Sequence, residues 1–204
     1  MTVLRMLSFT LYATLLSACV SAPTLEPARL PPGEWALDPS HASALWRIQH
    51  MGLSWYTGRF DAIDARLSFD AARPQDARLT AIIESASIST GDPAFDQTLC
   101  GASWFDCDAH PQIVFHSDHI EVTGPDTGLV HGQLTLKGVT QPAVLETQFY
   151  GGVFNPLEAR QALGFGADMT INRTDFRVGR LPGNLIGDTV VIRIEAEFLR
   201  DRGE

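Results

Sequence analysis

Two cysteines, Cys100 and Cys107, stand in the stretch LCGASWFDCDAHPQIVF (99–115), with the adjacent aromatics Trp104 and Phe105 between them. Thiols this close can form a redox couple, bind a metal or make a covalent staple. Thioredoxin-like redox chemistry uses Cys-x-x-Cys beside a βαβ unit, and the sequence offers neither. The nearest imidazole pair lies in His116-Ser117-Asp118-His119. On a strand, residues i and i+3 point to opposite faces, so these read as two surface histidines and no metal site is expected. His41 and His50 flank a strand-like run, and each reads either as a hydrogen-bonded structural histidine or as a contact to the polar head of a ligand.

Carboxylate pairs, the raw material of general acid–base chemistry, occur at Asp61 and Asp64 and at Glu195 and Glu197. The second pair shares the polar side of an alternating run, where solvated charges belong. The sequence contains no His-Glu-x-x-His, Gly-x-Ser-x-Gly, P-loop or Gly-x-Gly-x-x-Gly motif. The chain is therefore not expected to be an enzyme, and neither catalytic residues nor a dedicated cofactor are assigned.

What the thiols do depends on compartment, and the N-terminus, MTVLRMLSFTLYATLLSACVSAP, bears on it. One basic residue, Arg5, precedes an apolar run over 6–16 and then Leu16-Ser17-Ala18-Cys19. That layout is a secretory signal, and its last residues resemble a bacterial lipobox, in which the cysteine is acylated after cleavage before it. Residues 1–18 are thus expected as a lipoprotein signal peptide and Cys19 as the lipidation site. Residues 19–33, with Pro23, Pro27, Pro31 and Pro32, are expected as a Pro-rich tether to a domain spanning 34–204. Val20 is not the aspartate that serves as an inner-membrane retention signal in enterobacteria. A lipid-anchored, periplasm-facing envelope protein, with the outer membrane preferred, is the expected location. The mature chain would carry 14 basic and 24 acidic side chains, a balance that argues against nucleic-acid partners. In an oxidising compartment, with Cys19 taken by lipid, Cys100 and Cys107 remain as an even pair and are expected to form a disulfide. The sequon Asn172-Arg173-Thr174 reads as coincidence in a bacterial host.

The elements that would position these groups are mostly strands. Apolar and polar residues alternate over 190–198, 44–49, 64–70, 133–137 and 165–172, with weaker runs at 78–88, 112–122 and 143–150. Eight strands are expected. Turn chemistry falls at 72–74, Gly124-Pro125-Asp126, Gly151-Gly152, Asn155-Pro156 and Pro182-Gly183-Asn184. A short helical segment around 92–106 begins with Asp92 as cap and Pro93 at the first helical position. Eight antiparallel strands with one apolar face must close into a barrel or stack as a sandwich.

Six blocks in order then carry a resemblance: Trp35-x-Leu37-Asp38-Pro39-x-His41; His50-Met51-Gly52-Leu53-Ser54; Gly58-Arg59-Phe60; Trp104-Phe105-Asp106 with His110-Pro111; Gly132-x-Leu134-Thr135-Leu136-x-Gly138-Val139-Thr140-x-Pro142; and Asn172-Arg173-Thr174-Asp175-Phe176. From about residue 35 to 199 the chain resembles the YceI family. The resemblance implies a mostly β fold, a closed eight-stranded antiparallel lipocalin-like β-barrel with a short helix, enclosing an apolar tunnel for a long isoprenoid or other amphiphilic chain. Ala42, Thr98 and Arg177 depart from the family pattern at polar positions, so head-group identity is not carried over.

The inward positions expected to line such a tunnel are Trp46, Ile48, Phe60, Leu67, Phe69, Phe115, Leu134, Leu136, Phe165, Met169 and Ile194, with Trp104 and Phe105 held by the staple at its mouth. The same residues would also suit a solid core. The expected ligand is a polyisoprenoid, quinone or fatty-acid-like lipid, and the expected role is that of carrier, buffer or scavenger. The rival readings are a quinone- or thiol-linked redox role and a plugged barrel that recognises an envelope partner.

Overall fold

The computed structural model describes residues 21–202. The expected signal peptide and Cys19 lie outside the described residues. Ten strands and one α-helix follow in chain order: β1 (Gly33–His50), β2 (Ser54–Phe60), β3 (Ile63–Phe69), β4 (Arg78–Glu84), β5 (Ile88–Ser89), α1 (Pro93–Leu99), β6 (Gln112–Val122), β7 (Thr127–Leu136), β8 (Val139–Asn155), β9 (Arg160–Asn172) and β10 (Ile186–Arg200). Eight of them close a ring in the order β1-β3-β4-β6-β7-β8-β9-β10, and β10 returns to pair with β1 from Trp35↔Arg200 to His50↔Ile186. Closure leaves these strands without a free sheet edge, the usual cost of an open antiparallel sheet.

The alternation that suggests strands also decides which side of each faces in. Along β7, Val130, Leu134 and Leu136 are buried, while Gln133 and Thr135 between them face out. On the outer surface Arg193 binds Glu195, and its Nη2 donates to the Tyr150 hydroxyl at 2.8 Å. An apolar interior and a polar exterior are the lipocalin arrangement, the reverse of a porin. No helix among the described residues is long and apolar enough to cross a membrane.

Four local features depart from the sequence expectations. β2 was not among the expected strands; it pairs with the second half of β1 (Ala44↔Phe60 to His50↔Ser54) while β3 pairs with the first. Its alternation is broken by Gly58, whose missing side chain leaves room for the Trp46 indole that packs directly over it. Gly151-Gly152, expected as a turn, lies inside β8 at a bulge between Phe149 and Gly151. Gly151 has φ +105°, and a Cβ there would meet the Thr24 carbonyl oxygen at 2.8 Å. The helix is shorter than the expected segment: Asp92 accepts from the amides of Ala94 and Phe95, and Cys100 ends it, with turns running from there to His110.

The fourth concerns His116 and His119. A register shift in β6 between Ser117 and His119 adds one residue, so both histidines share the outer face instead of pointing oppositely. His116 Nδ1 meets the Thr80 hydroxyl at 3.1 Å, and His119 stacks on His131 with centroids 4.4 Å apart.

Candidate functional site

A cavity of about 970 Å³ fills the barrel, near the top of the ~300–1,000 Å³ typical of sites for drug-sized ligands. Every residue expected to line a tunnel is on its wall. Ile48, Trp46, Phe60 and Ile194 come from the seam of β1, β2 and β10, and Leu67, Phe69 and Phe115 from β3 and β6. Leu134 and Leu136 of β7, Phe165 and Met169 of β9, and Trp104 and Phe105 of the segment after α1 complete the set. The interior is therefore a hollow lined by these side chains, not a core filled by them. Aromatic pairs stiffen the wall: Phe60 meets Phe105 edge-on at 5.6 Å, and Phe69, Phe149 and Phe165 form a cluster with centroids 4.8–5.5 Å apart.

The wall runs from one end of the barrel to the other. At the end where β1 begins and β10 finishes, it includes Leu25, Pro27, Pro74 and the β6–β7 turn at Gly124, Pro125 and Asp126. Leu25 and Pro27 belong to the segment expected as a tether. That segment is docked: Thr24 and Gly152 exchange two backbone hydrogen bonds of 2.9 Å, and Leu30 is buried against Trp35, Leu163 and Phe198. Nothing in the composition of 21–33 signals this, because Pro and Ser suit a free linker equally well.

At the opposite end the wall includes His50, Ser54, Phe95, Leu181 and Ile186. Here several chain segments are tied together by polar groups. Cys100 and Cys107 form the expected disulfide, with Cα atoms 5.0 Å apart, and Cys107 is buried. The bridge closes the loop carrying Trp104 and Phe105. Trp104 in turn packs on Gly179, where φ is +71° and a Cβ would meet the indole at 2.7 Å. Lys137 occupies the β7–β8 turn with φ +50°, followed by Gly138 at +71°, the two left-handed residues that a tight hairpin requires. Its ammonium donates to the carbonyls of Ala102 at 2.8 Å and Arg177 at 3.1 Å, and burial holds its pKa below the ordinary lysine value.

Arg173 organises this end, and sequence reasoning left its role open. It is 2 % exposed. Its guanidinium donates to the carbonyls of Gly187 (2.9 Å), Val178 (2.9 Å), Gly179 (3.2 Å), Leu181 (2.7 Å) and Ile186 (3.0 Å), and to Asp188 Oδ1 (2.8 Å). One planar cation thus gathers the chain between β9 and β10 into a cap. The signal was the Asn172-Arg173-Thr174-Asp175-Phe176 block, in which Asn172 caps the following turn by accepting from the Thr174 amide.

The two histidines weighed as head-group contacts separate. His50 is on the cavity wall at this end. His41 is not: it sits in the β1 bulge, largely exposed, with Nδ1 2.8 Å from Asp38 Oδ2. Donating this hydrogen bond to Asp38 raises the His41 pKa, and accepting it lowers that of Asp38. His41 is a structural partner of Asp38, as its first reading allowed.

Residues 35–198 match the YceI-like domain. A UPF0312 protein of Ectopseudomonas mendocina is 31% identical over 169 residues, covering 82% of this chain and 87% of the relative. Among solved structures, the YceI protein of Campylobacter jejuni is similar with a TM-score of 0.68 at 25% identity, covering 76% of this chain and 91% of that one. A polyisoprenoid binding domain from Saccharophagus degradans, implicated in plant cell wall breakdown, is similar in fold with a TM-score of 0.61 at 14% identity, over 84% of this chain and all of that one. With its barrel, its lined hollow and its matched length taken together, the chain belongs to the YceI-like family.

Proposed function

We propose that this chain is a lipid-anchored bacterial envelope protein that binds a long-chain isoprenoid or similar amphiphilic lipid inside its barrel, as carrier, buffer or scavenger. The observation that carries the reading is the apolar cavity itself, about 970 Å³ and walled along the whole barrel. Burial of apolar surface at roughly 25 cal/mol per Å² lets a hydrocarbon chain of a few hundred Å² gain several kcal/mol before association costs. The cationic side chain on the wall, Arg173, has its donors committed to the cap, so the buried part of the ligand is its apolar chain. The polyisoprenoid named for the Saccharophagus degradans domain supports the ligand class. Anchoring is supported by the Leu16-Ser17-Ala18-Cys19 pattern, and it sets the binding role at a membrane surface.

Native mass spectrometry and organic extraction of the purified protein are expected to reveal a bound apolar chain. A barrel that stays empty when offered polyprenols and quinones overturns the ligand reading. Anchoring is tested separately: Cys19→Ser is expected to release the protein from the membrane fraction, and unchanged partitioning overturns it.

A further inference from the structure

The β1–β2 turn and the cap form a lip around the mouth at the Arg173 end of the cavity. Met51, Leu53, Trp55, Leu181 and Leu185 are all exposed there, and Leu53 is 82 % exposed. They are neighbours: the Met51 amide donates to the Leu185 carbonyl at 2.9 Å, and His50 pairs with Ile186. The cavity wall reaches this lip at His50, Ser54, Leu181 and Ile186. Met51 has φ +53° and Gly52 φ +69°. Three residues, Met51 to Leu53, join the paired His50 and Ser54, and a left-handed backbone favours Gly, Asn or Asp, so the apolar side chain of Met51 is displayed here against local preference.

Charge sets this lip apart. Residues 43–60 and 176–187 hold no Asp or Glu, although the chain has 24 acidic and 15 basic residues. They contribute four arginines, of which Arg59 pairs with Asp61, while Arg47, Arg177 and Arg180 join no ion pair among the described residues. Arg47 lies 4.8 Å from the Trp55 ring centroid, a cation and an aromatic in the pairing suited to a membrane interface. Of the acids nearby, Asp188 is bonded to Arg173, Asp92 caps α1 on the cavity wall, Asp96 accepts from the Thr90 hydroxyl, Asp106 lies close enough to Lys137 to act on its charge, and Asp175 stands in the turn after β9. The far end of the barrel also exposes apolar side chains, Phe154 and Leu157 among them, but Glu26, Asp70, Asp76, Asp126 and Glu158 edge it.

We propose that this lip docks on an anionic lipid bilayer, inserting Leu53, Met51 and Leu181 among the acyl chains while the arginines meet the head groups, so that a lipid passes between bilayer and cavity without crossing water. The apolar side chains supply partition and the arginines supply selectivity for negative surface charge. The inference deepens the lipid-binding reading and rests on it for its purpose, though docking is measured independently of the cavity.

The test uses the full chain with Cys19→Ser, so that no acyl anchor contributes, and an environment-sensitive fluorophore on Leu53→Cys. With vesicles containing phosphatidylglycerol the probe is expected to shift to the blue and to be quenched by brominated acyl chains. Phosphatidylcholine vesicles should give a much weaker response. In a chain labelled instead at Leu181→Cys, Leu53→Asp is expected to weaken docking at least about tenfold, the loss of one buried leucine. Leu157→Asp, at the far end and 93 % exposed, should leave it unchanged. A probe at position 53 that stays in water on vesicle-bound protein overturns the proposal, as does a shift that needs only protein concentration, which would mark the lip as a self-association surface. A chain that holds lipid in solution but keeps a dry lip defeats docking alone; one that inserts its lip but never fills its cavity defeats the ligand reading alone.

Discussion

The two ends of the barrel are closed by different physics. At the end where β1 starts, residues 24–30 lie across the opening, held by the two Thr24–Gly152 backbone bonds and the burial of Leu30. At the opposite end a buried guanidinium, an ammonium and a disulfide tie down the loops after α1, β7 and β9. A strap held by one buried leucine and a pair of neutral hydrogen bonds can lift without exposing a charge. A cap built on Arg173 cannot, because its opening parts a buried guanidinium from five carbonyls and Asp188 at once. The difference places rigidity at the end that carries the exposed apolar lip and leaves the docked N-terminal segment as the more easily displaced closure.

Removing Arg173 should break that contrast most severely. Arg173→Ala is expected to cost about 3–5 kcal/mol in urea unfolding, since it leaves Asp188 and several carbonyls unpaired. Arg173→Lys should recover only part, because a point charge cannot span the set the planar fork reaches. Limited proteolysis should then cut within 177–185, and an Arg173→Ala protein as stable as wild type would show the cap to be held by something else.

The disulfide comes next. Replacing both Cys100 and Cys107 by Ser reopens a loop of sequence separation 7 and is expected to cost about 2–3 kcal/mol in the chain-entropy account. Trp104 and Phe105 would loosen on the cavity wall, so exchange of a bound lipid should quicken. Full stability with unaltered exchange would refute the staple.

Leu30→Ala probes the other closure. The cost should fall near the low end for a buried leucine, about 2 kcal/mol, because a surface strap can collapse into the space. Hydrogen exchange should rise at Thr24 and Gly152 while the amides of 176–187 keep their protection. Equal loosening at both ends would mean that the closures act as one unit.

Most of the barrel was legible because burying one face of a strand forces a period of two, and each of the eight expected runs overlaps a strand of the ring, although 78–88 overruns β4 through the turn Ser85–Ser87 into β5. The wall of the hollow was legible for the same reason. What escaped were departures from that period. Gly58 hides the alternation of β2 in the sequence because the Trp46 indole takes the space of its side chain, although the strand runs through it unbroken, and the extra residue near Asp118 turns His119 to the side of His116. The docking of Thr24 depends on a glycine bulge more than a hundred residues away, and no local pattern in 21–33 encodes it. Arg173 stood in a quoted motif, yet its carbonyl partners belong to a loop whose course follows from the fold and not from the motif.

The smallest expected effect belongs to the bulge in β1, where His41 meets Asp38 away from both closures. Bonding to Asp38 raises the His41 pKa above its ordinary 6.5, and bonding to His41 lowers that of Asp38 below 3.8. The contribution of His41 is therefore complete below pH 6.5 and lost as pH rises through its raised value. That of Asp38 is complete above its unfolded value and lost as pH falls through its lowered one. The pair is thus intact between the two folded values and weakens on either side. An NMR titration should place the His41 midpoint above 6.5, and Asp38→Asn should bring it down, with no change at the cap or in the cavity. Exposure of the imidazole to water keeps the effect on unfolding small. A midpoint that ignores Asp38→Asn would mean that neighbouring carboxylates such as Glu197 set the histidine, not the bulge.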